Sequence, residues 1–430
     1  MITNKSVFES RRNKFFDAME DGIAIIPSAS EKIRNADITY PFRQDTDFYY
    51  LTGFEEPESV ALLIKDGKNR DFVIFLRPRI PEEEQWTGRR LGPEAAVEEL
   101  GADKAFAIGK FWNKLPDFLN HKSILYYVMG IDKARDFRIN GIIEELKAEA
   151  RKNKWGPWTI IDPRTILWNM RLYKSAFELE NLKKACEITT EAFKRTIKAI
   201  QPGMMEYEVQ ALLEFEFRRG GSPRLGFETI AASGANATTL HYVKNDQVIG
   251  KDDLILLDAG CEYNYISSDV TRTFPAGKKF SPAQKDVYTA VLDAQKAAIN
   301  KIRPGNTYQD IHMTAVYVLA ERMIDMGILV GKLEEIVENQ DYARYFPHRI
   351  GHYLGMDVHD CGPYFVNGKS ITLKENMVLT VEPGLYIPPW DKDVPEKFRG
   401  IGVRIEDDVL VTGSGHSVLT DPPKEPGDLV

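Results

Sequence analysis

The sequence predicts two domains, an N-terminal α/β domain over residues 1–172 and a mixed helix-and-strand domain over residues 173–430. Three observations carry this. At 430 residues the chain exceeds what one ordinary core fills. Helix and strand patterns alternate through the first 172 residues. Beyond them, four long amphipathic helical patterns are separated by strand-like segments.

The elements follow in order. Ser6 and Glu9 have the spacing of a capping box before a first helix. Gly22–Ile26 is an apolar run of strand length. Val60–Ile64 and Phe72–Leu76 flank the turn residues Asp66-Gly67-Lys68-Asn69 and read as a hairpin. A helix near Glu94–Leu100, strands at Ala105–Ile108 and Ile124–Val128, and a charged helix from about Asp136 to Lys152 complete the first domain. Trp155-Gly156-Pro157 and Asp162-Pro163 punctuate the connection. Ser175 and Glu178 then cap a helix over 176–200, in which Leu179, Leu182, Cys186, Phe193 and Ile197 keep helical spacing and Pro202-Gly203 form the stop. Further helices are expected over 206–219, 282–301 and 307–326. Gly220-Gly221 ends the first of these, and Ser281-Pro282 opens the next. Segments 251–274 and 374–411 share a pattern of Lys, two polar residues, an apolar strand and then carboxylates, which hints at two related halves.

Composition narrows the function. Hydrophobic residues at 43% and charged residues at 28% are ordinary for a globular chain. A net charge of -8, with no basic stripe, argues against a nucleic-acid partner. Cys186, Cys261 and Cys361 are odd in number and share no CxxC spacing, so reduced thiols in a cytoplasmic protein are expected. Met1-Ile2-Thr3-Asn4-Lys5 runs into a charged helical pattern without an apolar core, so no signal peptide is expected. No run of about 18 apolar residues suggests a membrane span.

The chemistry concentrates in the second domain. Leu254–Gly260 and Ser267–Phe274 are strand-like, and each carries an aspartate, Asp258 and Asp269. A two-residue loop at Tyr263-Asn264 would set these directly opposite each other on one face. Like charges so placed are destabilising unless a cation lies between them; one solvated and one turn aspartate is the plainer alternative. Phe346–Asp360 holds His348, His352 and His359, three of the seven histidines, beside glycines that allow close backbone approach. A lone histidine is more often a packing residue; three together favour metal or proton chemistry. Glu382 ends the apolar run Val378–Val381 just before Pro383-Gly384, a turn that would present it to a cleft. Arg404 and Glu406 share one face of a strand, with Ile405 on the other. Four clustered carboxylates would raise one another's pKa unless balanced by about two divalent cations. An oxygen-rich set with one histidine favours Mn2+, with Co2+, Fe2+ or Zn2+ as alternatives. Two such metals, about 3.5–4 Å apart, can share a bridging hydroxide as nucleophile and polarise a carbonyl.

The ordered set Asp258, Asp269, His352, Glu382 and Glu406 resembles the five-ligand signature of the pita-bread metallopeptidases, and the resemblance spans nearly the whole chain. It is closest to the bacterial aminopeptidase P (Xaa-Pro aminopeptidase) group. His348–Asp360, Thr380–Ile387 and Arg399–Asp408 carry that match, together with Tyr40–Gln44, Asp47–Phe54 and Trp86–Gly92. The resemblance implies an α+β pita-bread catalytic domain behind an α/β domain that limits access and makes oligomer contacts. It implies a homodimer or homotetramer that hydrolyses the bond before proline in second position and releases the first residue. It further implies that Asp258 and Asp269 hold one metal, that His352 and Glu382 hold the other, and that Asp269 and Glu406 bridge. By the same analogy Glu382 shuttles a proton, His241 touches the substrate, and His359 stabilises charge on the scissile carbonyl oxygen. His348 and Arg404 frame the proline subsite, with Tyr386 behind the ligands and Asp37, Arg43 and Trp86 as weaker substrate contacts. Ordinary structure is an equal reading for those last four. His312, in an apolar helix, reads as structural, and His121 and His416 have no motif around them.

Proline explains why a dedicated enzyme is needed. Its nitrogen carries no N–H and its ring fixes φ, so a peptidase that binds substrate as a β-strand loses a hydrogen bond there. A dipeptidase of the same family, a prolidase, would use the same ligands. A non-catalytic binding module on this fold would have lost some of them.

Overall fold

The computed structural model describes residues 4–429; Met1–Thr3 of the N-terminal segment discussed above lie outside the described residues. The chain divides into two units, Met1–Met170 and Arg171–Val430. No helix among the described residues is long and apolar enough to cross a membrane.

In the first unit six strands form one mixed sheet, in the order Lys104–Ala107, Asn69–Leu76, Val60–Asp66, Gly22–Pro27, Ile124–Tyr126, Thr159–Ile161. The hairpin closes with Asp66 paired to Asn69, leaving Gly67-Lys68 as a two-residue turn with Gly67 at φ 58°. Ile23, Leu62, Val73 and Phe75 of the sheet pack against Leu115 and Ile143 of its helices. The first helix, Lys5–Ala18, has Asn4 at its cap with no side-chain cap bond. The expected Ser6–Glu9 box is therefore not used, because both residues already lie inside the helix. The charged helix begins earlier than expected, at Lys133, because Asp132 caps it by accepting from the Arg135 N–H. Helices Pro81–Thr87 and Phe111–Leu119 were not expected; the second carries an internal proline, Pro116.

The second unit contains the four long helices, Ala176–Ala199, Glu206–Arg219, Pro282–Asn300 and Tyr308–Asp325. Capping boxes open three of them, at Ser175/Glu178, Ser281/Gln284 and Thr307/Asp310. Their apolar faces, with Phe193, Leu213, Val291 and Leu319, share one core with strand residues Ile255, Leu257, Leu379 and Val409.

Two antiparallel pairs matter for the site, and each is interrupted. Leu254–Ala259 pairs with Val270–Pro275, Asp258 opposite Thr271 and Ala259 opposite Val270. The same register resumes beyond the gap, where Cys261–Tyr263 meets Ile266–Ser267. The turn is Asn264-Tyr265, both residues at positive φ (48° and 63°), and not Tyr263-Asn264 as expected. The register therefore slides by two residues, and Asp269 stands opposite Gly260 instead of Asp258. A slide of two leaves every side chain on its original face, so the two aspartates become diagonal neighbours on that face. Gly260 is required by the close approach of its partner strand: a Cβ there would sit 1.7 Å from the Ser268 carbonyl oxygen. Gly260→Ala is expected to cost about 3 kcal/mol or more through overpacking and backbone displacement. Urea unfolding measures this, and a loss below about 1 kcal/mol would contradict the packing seen here.

The second pair joins Val378–Val381 to Asp407–Val411, with Val381 opposite Asp407. Beyond a gap it joins Gly384–Ile387 to Ile401–Arg404, with Gly384 opposite Arg404. The register carried through the gap places Glu382 opposite Glu406. Pro383-Gly384 is thus not a turn: the strand runs on, and Pro383, lacking an N–H, breaks the ladder. Both halves present carboxylates at an interruption of an antiparallel pair, which is the structural counterpart of the pattern shared by 251–274 and 374–411.

Candidate metal centre and cleft

A cleft of about 700 Å³ opens in the second unit. It is lined by Asp258, Asp269, Glu382 and Glu406 together with His241, His348, His352, His359, Tyr386 and Arg404. Asp37 and Trp86 belong to the first unit, where both are exposed, Trp86 to 90%. Arg43, also in that unit, donates to the Thr46 hydroxyl at 3.0 Å.

The carboxylates are crowded. Asp258, Asp269 and Glu406 are each less than a tenth exposed. One donor atom from each of Asp269, His352 and Glu406 lies within 4.8 Å of the others. His352 Nε2 is 3.3 Å from Asp269 Oδ2 and 3.5 Å from Glu382 Oε1. Burial, and then the neighbouring acids, push Asp269 and Glu406 well above the usual carboxylate range. Burial also raises the Glu382 pKa, against the pull of His352 and Arg404. Asp258 Oδ1 and Asp269 Oδ1 are buried with no hydrogen-bond partner among the described residues. Orphaned carboxylate oxygens in a cluster of like charge are what a divalent cation site requires, so the residues present fit bound metal.

The supporting bonds explain the geometry. His352 Nδ1 donates to the Tyr353 carbonyl at 3.1 Å, which leaves Nε2 bare toward the acids. The Thr271 hydroxyl donates to Glu406 at 2.7 Å, and the Thr380 hydroxyl donates to Glu382 at 3.3 Å. Arg404 donates to Asp258, to the Thr271 hydroxyl at 3.1 Å and to the Tyr386 hydroxyl at 2.9 Å. Tyr386 in turn meets His348 Nε2 at 2.9 Å, and His348 Nδ1 meets the Arg349 carbonyl at 2.8 Å. This chain fixes the ring. Burial, then Arg404, pushes the His348 pKa down to about 3, so the imidazole is neutral in use. His359 lies edge-on to His352, ring centres 4.3 Å apart, and burial followed by His352 lowers its pKa.

The loop that carries His352 and His359 is held from beneath. Asp360 accepts from Arg171 and, at 2.7 Å, from Lys174. Burial raises the Asp360 pKa, but the two cations outweigh it and hold the group below the usual range. Gly355 lies so close that a Cβ would meet Asp360 Oδ2 at 2.1 Å.

Sequence reasoning missed several supporting groups. Thr271 and Thr380 carry no motif signal of their own. Asp407 and Asp408 follow Glu406 and alternate faces, as period two requires. Asp407 turns away to bond Arg272, Lys424 and Gln295. Asp408 accepts from the Asp269 N–H at 3.1 Å and from the Cys186 thiol at 3.3 Å, and burial pushes its pKa up to about 7. His312 is buried in its helix, His121 bonds the Asn153 carbonyl, and His416 bonds the Ile302 carbonyl.

Residues 180–413 match the model of metallopeptidase family M24, and residues 8–126 match that of the aminopeptidase P N-terminal domain. The chain is 40% identical to the Xaa-Pro aminopeptidase of Escherichia coli (strain K12), over 97% of this chain and 95% of that protein. It is 41% identical to the Xaa-Pro aminopeptidase of Haemophilus influenzae, over 99% and 96%. Among solved structures, a Pseudomonas aeruginosa aminopeptidase superimposes with a TM-score of 0.97 at 42% identity, covering 100% of this chain and 98% of that one. Zinc-substituted E. coli aminopeptidase P in complex with product gives 0.96 at 40%, covering 99% and 97%.

Proposed function

Because the chain belongs to metallopeptidase family M24, we propose that the carboxylate-lined cleft is where it works as an Xaa-Pro aminopeptidase, an enzyme that hydrolyses the N-terminal Xaa-Pro bond. The orphaned, buried oxygens of Asp258 and Asp269 beside His352, Glu382 and Glu406 carry this reading. These five residues would hold two divalent metals, which when bound supply a nucleophile at neutral pH and polarise the scissile carbonyl. Mn2+ suits the oxygen-rich donor set, and Co2+, Fe2+ and Zn2+ are the alternatives.

The chain's own groups account for the rest. Glu382, with its raised pKa, takes a proton from the attacking water and returns it to the proline nitrogen as the C–N bond breaks. That nitrogen leaves as a secondary amine and requires the proton. His359 donates an N–H to the developing oxyanion, and His241 contacts the substrate beside it. Neutral His348, locked between Tyr386 and the Arg349 carbonyl, forms with Arg404 a fixed wall for the proline ring. Asp37, Arg43 and Trp86 of the first unit are further substrate contacts in an assembled homodimer or homotetramer. Cys186 and Cys261 are buried thiols in no disulfide, which suits a reducing, cytoplasmic setting.

Arg404→Ala is expected to lower the Xaa-Pro over Xaa-Ala preference in kcat/KM about tenfold or more. It removes the donor to Tyr386 and leaves Asp258 without its cation. Paired assays with Ala-Pro-Ala and Ala-Ala-Ala measure this, and an unchanged preference would remove Arg404 from the subsite.

A further inference from the structure

Two arginines line the cleft, Arg349 and Arg404. Arg404 is committed to Asp258, Thr271 and Tyr386. Arg349 is exposed and makes no ion pair among the described residues. Glu228, the remaining acid of the wall, is also exposed and makes no bond to it. Two divalent cations would balance the four carboxylates of the metal site, and Arg349 has no ion-pair partner among the described residues of the cleft.

Its position gives that charge a use. The Arg349 carbonyl accepts from His348 Nδ1 at 2.8 Å, so its backbone is tied to the residue that frames proline. Its positive charge also reaches Tyr308, another wall residue. An extended peptide advances about 3.3 Å per residue, so the group after proline lies one step beyond His348, within reach of a long side chain rooted at the next residue. A guanidinium there matches a carboxylate in shape and charge. On the Xaa-Pro aminopeptidase reading, we propose that Arg349 is a specificity-determining residue that receives a carboxylate from the residue following proline. That carboxylate is either the free C-terminus of an Xaa-Pro-Xaa tripeptide or an acidic side chain at the third position of a longer peptide.

The test uses metal-loaded, full-length protein and two substrate pairs. Ala-Pro-Ala against its C-terminal amide probes the terminal carboxylate. Ala-Pro-Asp-Ala-amide against Ala-Pro-Asn-Ala-amide probes the side chain. The wild type is expected to prefer the acid member of at least one pair by about five- to tenfold in kcat/KM, carried mainly by KM. The pair that shows the preference identifies the source. Arg349→Ala should bring that ratio to about one, Arg349→Lys should keep part of it, and Arg349→Glu should invert it. Raising salt to about 0.5 M should shrink the wild-type ratio, which a purely structural role would not produce. Equal acid-to-amide ratios in wild type and Arg349→Ala, on both pairs, overturn the Arg349 subsite while leaving the peptidase reading intact. Failure of the wild type to cleave any of the four overturns both.

Discussion

Glu406→Gln is expected to abolish release of the first residue, by about 10³-fold or more in kcat/KM, in protein that still folds. Glu406 stands opposite Glu382 across an interrupted ladder and accepts from the Thr271 hydroxyl at 2.7 Å. Glutamine keeps the shape and the hydrogen bond but supplies no negative charge for metal. It also removes one of four mutually repelling groups, so the metal-free variant should melt no lower than the metal-free wild type. The added stability on loading with metal should fall instead. Metal titration, thermal melting with and without metal, and steady-state kinetics together separate these effects. Near wild-type turnover of metal-replete Glu406→Gln would sink the site assignment, and Asp269→Asn makes the same demand on the other bridging candidate.

The second large effect is on folding. Arg272→Met is expected to cost about 3–5 kcal/mol, because it takes the guanidinium from a buried carboxylate and the donor from three buried backbone carbonyls. Arg272 and Asp407 are both fully buried. Arg272 donates to Asp407 at 2.6 Å, to the Thr271 carbonyl at 2.9 Å, to the Glu406 carbonyl, and to the Pro422 carbonyl at 3.2 Å. One side chain thus fastens the C-terminal segment to the backbone of a proposed metal ligand. Burial raises the Asp407 pKa, but Arg272 and Lys424 more than offset this and hold it below the usual range. Removing the carboxylate as well, in Arg272→Met/Asp407→Leu, should recover part of the loss. Denaturant midpoints measure both variants; a single-variant loss under about 1 kcal/mol would show that Lys424 alone satisfies Asp407.

The helices were legible because their signals are local. Ser175/Glu178 form the box expected of them and Ser281-Pro282 open their helix as expected, with Gln284 completing a box there; apolar spacing supplied the rest. Ser6 and Glu9 show the limit, since the spacing occurs there without the geometry. The shared face of Asp258 and Asp269 was also legible, because it depends on strand parity alone. Their register was not. It depends on which two residues accept positive φ, and Asn264-Tyr265 do so although Tyr265 is an unfavourable choice. The pairing of Glu382 with Glu406 is long-range, and no local pattern announces it; Pro383-Gly384 even argued for a turn. The ligand set as an ordered group came from family resemblance. Thr271, Thr380 and Arg272 needed the fold to be seen.

The measurement that tests the central claim most directly is alanine release from Ala-Pro-Ala and from Ala-Pro by purified protein, stripped of metal and then supplied with Mn2+. Metal-dependent release of alanine from the tripeptide is the predicted result. Cleavage of the dipeptide alone would mark a prolidase, and no cleavage of either with Mn2+, Co2+, Fe2+ or Zn2+ would contradict a catalytic centre built from these five residues.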